Sequence, residues 1–429
     1  MGPIPDGFLY KEGNYIKPGN VWIWGHPSTY LGVKGDSEKD VCYPVQITSL
    51  KNIVYCDCSS TETGVVTKEG FLYTWGSNYK HRLLQDIDDT IYSSPTKVSS
   101  LSNVSIFHIS ETHSCVILND GTCLLWGSTL HGALGNGEDG INVIRKPIPA
   151  VYNGEIIKVS QACLSYCSTM LLSYEGEIFV SGSNEYGKIG LGKSIEKTTH
   201  FTKLPFPPCR YISMGSLYTL IITFDNEVLG FGIGKNGNLG IGKRVNIQYE
   251  PIRITFPTTA PIIKVCASIE ENTPTTIPIS QIDGNEGPTS FACDLEGRIY
   301  GFGSSHKGKL GNFENKVLNP RNGDELSPFL IGSITRDTKR KNCYFQGEEV
   351  IQVISCHIHS AALTKSGKLY TWGCGSGGRI GQDGFIFKGR KRRLKFYQSK
   401  PTAIETFARN KTFVCFAASA RSHMICIGK

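Results

Sequence analysis

The chain has 429 residues, a formal net charge of +8 and 15 cysteines. That length permits two or three domains, but an odd cysteine count without framework spacing or a secretory leader excludes a disulfide scaffold, and no apolar run is long enough to span a membrane. The charge is mildly basic, so its placement carries more information than its size.

Residues 1–18 read as an N-terminal extension with only Lys11 and Lys17 as basic groups, and MGPIPD lacks the Ser or Thr at position 6 that myristoylation needs. From Gly19 onward one phrase recurs: GNVWIWG to Gly25, GFLYTWG to Gly76, GTCLLWG to Gly127, GEIFVSG to Gly182, NEVLGFG to Gly232, GRIYGFG to Gly303 and GKLYTWG to Gly373. These closing glycines are 51, 51, 55, 50, 71 and 70 residues apart, so a unit of about 51 residues tiles the chain. Within a unit the period is two. VSIFHIS, SCVILND and TCLLWGS are strand-length apolar runs broken by Asn-Asp-Gly, and a fourth strand fits around IPAV.

A lone four-stranded sheet exposes both faces, whereas seven packed around an axis bury them against neighbours. The predicted fold is therefore all-β: a seven-bladed β-propeller of four-stranded antiparallel blades over 19–429. The first copy starts at its third strand, and TFVCFAAS and SHMICIG at the other end resemble a first and second strand. One blade is thus expected to combine both ends of the chain, closing the ring by strand pairing. Loop insertions fall at 270–288, 335–348 and 382–400.

Several motifs imitate catalytic ones. GSNEYGKI from Gly182 and GSSHKGKL from Gly303 approach a phosphate-binding loop, but Ile189 and Leu310 stand where the Mg²⁺-binding Ser or Thr belongs. Gly232, Gly234 and Gly237, and likewise Gly373, Gly375 and Gly378, satisfy G-x-G-x-x-G without a following helical pattern to hold a phosphate. All four read as one strand-to-strand turn in different blades. His357-Ile-His359 and Cys56-Asp57-Cys58 lack a second spaced ligand pair. No catalytic residue, metal or cofactor is assigned. Cysteines inside strands such as IVYCDC and HMICIG read as buried thiols of a reducing, intracellular protein, nuclear or cytoplasmic.

Eight residues before the turn glycine, the second strand opens on Glu62, His113, Ser168, Thr289 and His359, with Tyr218 in the equivalent place and, by register, His423, and with small residues such as Ser59, Ser110, Gly215, Cys356 and Ala420 three places earlier. This reads first as a turn device in which the polar side chain caps backbone groups. First-to-second and third-to-fourth turns emerge on one side of the disc, where the 270–288 and 382–400 decorations also land. Recognition concentrates on such loops, so a partner-binding ring of Glu111, His113, His359, Arg421 and His423 is expected there. The 335–348 insert belongs on the opposite side. In the basic run, Lys388, Arg390, Lys391, Arg392, Arg393 and Lys395 supply six cations in eight residues, and Lys339-Arg340-Lys341 forms a shorter cluster. These resemble import signals or phosphate contacts; a solvated loop that discourages aggregation is the alternative.

Units such as THSCVILNDGTCLLWGSTLHGALGNG and HSAALTKSGKLYTWGCGSGGRIG closely resemble the regulator of chromosome condensation repeat, over about residues 19 to 427. The resemblance implies a seven-bladed propeller, and its founding type is a guanine-nucleotide exchange factor for the small GTPase Ran that also docks on nucleosomes. It implies a small GTPase of Ran type as partner, with nucleosome or nucleic acid at the basic loop, no membrane, and a monomer. Many relatives are scaffolds that bind other proteins. Glu111 lies where the exchange factor carries an acid and His423 matches a histidine, while Cys167 and Thr289 replace expected polar residues. The extended wedge of the exchange factor's third blade is replaced by an ordinary repeat turn at Ser128 to Gly135, and the basic N-terminal tail is absent.

Overall fold

The computed structural model describes residues 18–26, 30–33, 40–268, 287–311, 323–332, 344–345, 347–382, 385–388, 391–394 and 397–429, with backbone alone at 385–388 and 391–394. Seven antiparallel sheets of four strands each form the molecule. Blade 1 runs from Ile53–Cys58 to Ile91–Lys97, blade 2 from Val104–Ile109 to Val143–Pro149, blade 3 from Val159–Ser165 to Lys197–Lys203, and blade 4 from Cys209–Met214 to Val245–Arg253. Blade 5 runs from Ile262–Ala267 to Glu325–Leu330 and blade 6 from Val350–Ser355 to Tyr397–Ala403. Blade 7 joins Val414–Ser419 and His423–Gly428 to Asn20–Gly25 and Val41–Ile47. The first strands of successive blades neighbour one another around the axis.

Second strands such as STMLLS at Ser168–Ser173, YTLIIT at Tyr218–Thr223 and HSAALT at His359–Thr364 are buried along their whole length. Both their faces are covered by adjoining blades, so the usual alternation of apolar and exposed residues is lost. Polar atoms in such a strand need partners, and a repeated acceptor supplies them. In six of the seven blades it is the carbonyl of the sixth residue after the closing glycine, in the turn between third and fourth strands.

Arg82 O of blade 1 accepts from Ser114 Oγ at 2.8 Å and Trp126 Nε1 at 3.0 Å, both in blade 2. Ala133 O accepts from Thr169 Oγ1 at 2.7 Å and Ser181 Oγ at 2.9 Å in blade 3. Lys309 O accepts from Ser360 Oγ at 2.8 Å and Trp372 Nε1 at 2.7 Å in blade 6. Lys188 O receives Thr219 Oγ1 at 2.6 Å, Asn238 O receives Ser290 Oγ at 2.7 Å, and Arg379 O receives Trp24 Nε1 at 3.0 Å. Trp24, Trp126 and Trp372, and the Ser or Thr that stands second in the second strand of blades 2 to 6, are therefore blade-to-blade connectors. The glycine after the tryptophan is required by close approach: at Gly373, with φ 104°, a Cβ would lie 2.6 Å from Ile358 O.

Ring closure uses the register Asn20↔Gly428 through Gly25↔His423. A short helix at Glu405–Asn410, which the period-two pattern does not announce, leads into blade 7. Its Phe407 packs edge-on against Trp22 and Trp24, with centroids 5.7 and 6.0 Å away. Blade 2 also differs in detail from expectation. Its fourth strand is Val143–Pro149, ending halfway through IPAV, because Val151–Tyr152 pairs with Glu155–Ile156 in a separate hairpin. Most of the 270–288 and 335–348 insertions lies outside the described residues.

Deleting residues 1–26 removes the third strand of blade 7 and leaves the ladder edge of His423–Gly428 unpaired. Hydrogen exchange should then show loss of protection in all seven blades at once; loss confined to blade 7 would contradict closure by this strand.

Candidate functional site

The side of the disc carrying first-to-second and third-to-fourth turns is hereafter the turn face. In four blades the polar residue at the start of the second strand reaches sideways into the next blade. His113 Nε2 lies 2.8 Å from Thr169 Oγ1, His359 Nε2 2.7 Å from Ser419 Oγ, and His423 Nε2 3.0 Å from Thr63 Oγ1. Tyr218 does the same with its hydroxyl, 2.9 Å from Thr289 O, while accepting the Ser268 N–H at 2.9 Å. Glu62 is fully buried and pairs with Arg82 and Ser59, with Thr61 Oγ1 donating at 2.8 Å.

The structure thus places His113, His359 and His423 beneath the turn face, each with no exposed surface, where they staple neighbouring blades. The sequence reading expected these imidazoles in a partner-facing ring and as caps on local backbone. Burial explains the difference, since the register that puts them first in the second strand also puts them between two blades. Burial drives the His113 pKa down to about 3, assisted by the Lys188 ammonium, and that of His423 down to about 4. His359 is held well below its usual value by burial and by the Arg379, His357 and His423 charges.

Glu111 and Arg421 are half-buried on the turn face, close to the axis. They border a small axial mouth with Ser59, Ser110, Ser165 and Tyr166. Its volume is about 30 Å³, which is room for ordered water. Beneath it lie cations that motif reading did not assign to the site. Arg82 Nη1 donates to Glu111 O at 2.7 Å, and Lys188 Nζ to Tyr166 O at 2.9 Å. Lys309 Nζ donates to His357 O at 2.7 Å and also to Gly287 O.

Lys188 and Lys309 are the lysines of the two near-matches to a phosphate-binding loop, and both are buried. Each follows a three-residue turn, Glu185–Gly187 or His306–Gly308, that leads into no α-helix. Burial lowers the Lys188 pKa to about 8. The signal that could have located them is a basic residue six places after the closing glycine in four units, at Arg82, Lys188, Lys309 and Arg379.

In the basic run, Phe385–Lys388 and Lys391–Leu394 form a two-stranded hairpin with Lys388 opposite Lys391 and Phe387 opposite Arg392. Arg393 lies opposite Ile386 on its second strand. Arg390, Lys395 and the 339–341 cluster lie outside the described residues. All 14 described cysteines are free thiols. Burial raises Cys163 and Cys209 to about 12, which keeps them protonated and unreactive.

Among the described residues two features stand out: a ring of seven blades joined through turn carbonyls, and an axial mouth of about 30 Å³ on the turn face. Residues 366–427 match the regulator of chromosome condensation (RCC1) repeat. It is 34% identical over 108 residues to the X-linked retinitis pigmentosa GTPase regulator homolog of Caenorhabditis elegans, covering 25% of this chain and 8% of that protein. It is 26% identical over 379 residues to the ultraviolet-B receptor UVR8 of Arabidopsis thaliana, covering 84% of this chain and 74% of the receptor. The crystal structure of Prp20p from Saccharomyces cerevisiae, described with its binding to Gsp1p and histones, superposes with a TM-score of 0.77 at 17% identity, covering 100% of this chain and 95% of that one. No helix among the described residues is long and apolar enough to cross a membrane.

The buried imidazoles set a pH dependence. Unfolded histidine titrates near 6.5, so between that value and the depressed native ones the unfolded chain binds protons that the folded chain refuses. Stability should be whole above pH ~6.5 and fall toward pH ~4 by about 1.4 kcal/mol per pH unit for each imidazole. Urea titrations at pH 7 and 5 check this, and replacing His113, His359 and His423 together by Gln should flatten the slope. An unchanged slope in that variant would refute the assignment.

Proposed function

We propose that the chain is a docking module for a macromolecule, that the turn face is its working surface, and that its leading partner is a small GTPase of Ran type whose GDP release it promotes. The observation that carries docking is the size and chemistry of the axial mouth. About 30 Å³ is far below the several hundred Å³ of a small-molecule site, yet its rim carries Glu111 and Arg421, charges of opposite sign on rigid turns. Such groups suit a protein partner, where they set orientation and association rate. The likeness in fold to Prp20p, itself described as binding Gsp1p and histones, supports a GTPase. An exchange factor works by binding the nucleotide-free state more tightly than the loaded one.

A second reading, a scaffold without exchange activity, is favoured by the turn at Leu130–Gly132. It has the same form as Glu185–Gly187 and His306–Gly308 in other blades, so nothing there projects as a wedge.

Release of fluorescent GDP from Ran separates the two. Saturating wild-type protein should accelerate it, and Glu111→Ala and Arg421→Ala should each slow the catalysed rate about tenfold, the equivalent of ~1.4 kcal/mol. Unchanged release with stable partner capture selects the scaffold. For the basic run from Lys388 to Lys395, six cations on phosphate predict a loss of DNA affinity on the order of 10³-fold between 50 and 200 mM salt, and a flat salt response dismisses that contact.

A further inference from the structure

The side of the disc opposite the turn face carries an apolar groove of about 480 Å³ where blades 6 and 7 meet. Buried Tyr370, Ile404 and Phe407 form its floor, and the less buried Tyr344, Ala408 and Phe413 its rim. Ile404 and Phe407 also belong to the core that joins the two blades through Trp24 and Val414, so the groove is an open extension of that core. Its volume is ample for several side chains, within the ~300–1,000 Å³ of a ligand site, and Phe413 is left 45% exposed. Apolar surface of this kind gains free energy when it is covered.

Two stretches outside the described residues approach the groove. Residues 333–343, SITRDTKRKNC, lead into Tyr344 and hold four cations against one acid, with Ile334 as their large apolar residue. The charged lining of the groove consists of Lys368, which Glu348 holds, and Lys411, and these repel such a segment. Residues 1–17 lead into the third strand of blade 7 and contain Phe8, Leu9 and Tyr10 in succession. Their point of attachment lies beside the groove. A Cβ on Gly19 would meet Gly428 O at 2.8 Å, and a Cβ on Gly428 would meet Thr412 Cγ2, in the groove's lining, at 2.6 Å. The chain from Tyr10 to Gly19 reaches up to about 30 Å when extended, enough to turn back from the closing ladder and lie in the groove.

We propose that Phe8, Leu9 and Tyr10 fold back into this groove of their own chain and latch the seam between blades 6 and 7. The triplet covers Phe407, the ring on which Trp22 and Trp24 of the closing strand pack, so latch and ladder hold blade 7 from two sides. On so short a linker the triplet stands at an effective concentration on the order of millimolar, and a weak contact suffices to keep the groove filled. The contact lies away from the turn face and does not depend on what docks there.

A fluorescent peptide of residues 4–17, titrated against the full chain by anisotropy, tests the latch. Phe8→Ser, Leu9→Ser and Tyr10→Ser together vacate the groove without touching the ring, and this variant should bind the peptide about tenfold more tightly than the wild type, whose own triplet competes for the groove. Ala408→Glu, at an exposed position of the helix on the rim, preserves the helix and should weaken peptide binding to the triple variant about tenfold by placing a charge against the apolar floor. No binding by the triple variant, equal binding by the triple variant and the wild type, or affinity unchanged by Ala408→Glu overturns the latch. So does a wild-type dimer in sedimentation velocity that the triple variant lacks, since the triplet would then fill the groove of a second copy.

Discussion

A propeller blade cannot bury its second strand without also burying that strand's polar side chains, and the turn carbonyl of the preceding blade resolves the conflict. Hydroxyls of Ser114, Thr169, Thr219, Ser290 and Ser360 all find such an acceptor. A net gain of about 1 kcal/mol per hydrogen bond is modest, but loss of the acceptor would leave a buried donor unpaired at a greater cost. The repeated geometry therefore fixes how far each blade rotates and slides against the next. Everything on the turn face inherits that placement.

The same constraint explains why the face is charged at its rim and cationic below. A turn that offers its carbonyl to the next blade must hold its own side chain elsewhere. Arg82, Lys188 and Lys309 turn toward the axis and satisfy carbonyls of the first-to-second turns at Glu111, Tyr166 and His357. Long aliphatic stems fill the space between blades while the charged heads reach polar atoms, as snorkelling cations do. The interaction surface is thus a by-product of blade joining, with half-buried Glu111 and Arg421 left at the edge of the axial mouth.

Much of the fold was legible in the sequence because its units repeat the residues that join blades. Trp126 and Trp372 are spaced by the repeat since each must meet one carbonyl, and the split blade could be seen from a third strand that opens the series. The site was less legible. Spacing located His113, His359 and His423 along their strands, but spacing along a strand does not say what stands across the gap between blades. Lys188 and Lys309 were read only as failed phosphate-loop lysines, although a basic residue recurs six places after the closing glycine in four units, because that spacing does not say which distant carbonyl the ammonium meets. The helix at Glu405–Asn410 is too short for a 3.6-residue period to register.

The seam between the two ends has a mechanical character of its own. Blade 7 carries Met424 where five other blades carry a connecting Ser or Thr, so the Arg379 carbonyl is held by Trp24. Asn20 and Gly428 are direct partners at one end of the shared ladder. Tension applied through both chain ends would therefore part that ladder like a zip, rung after rung from Asn20 toward Gly25, instead of loading all its rungs in shear. Under a pull at its ends the ring is only as strong as one pair of backbone bonds at a time.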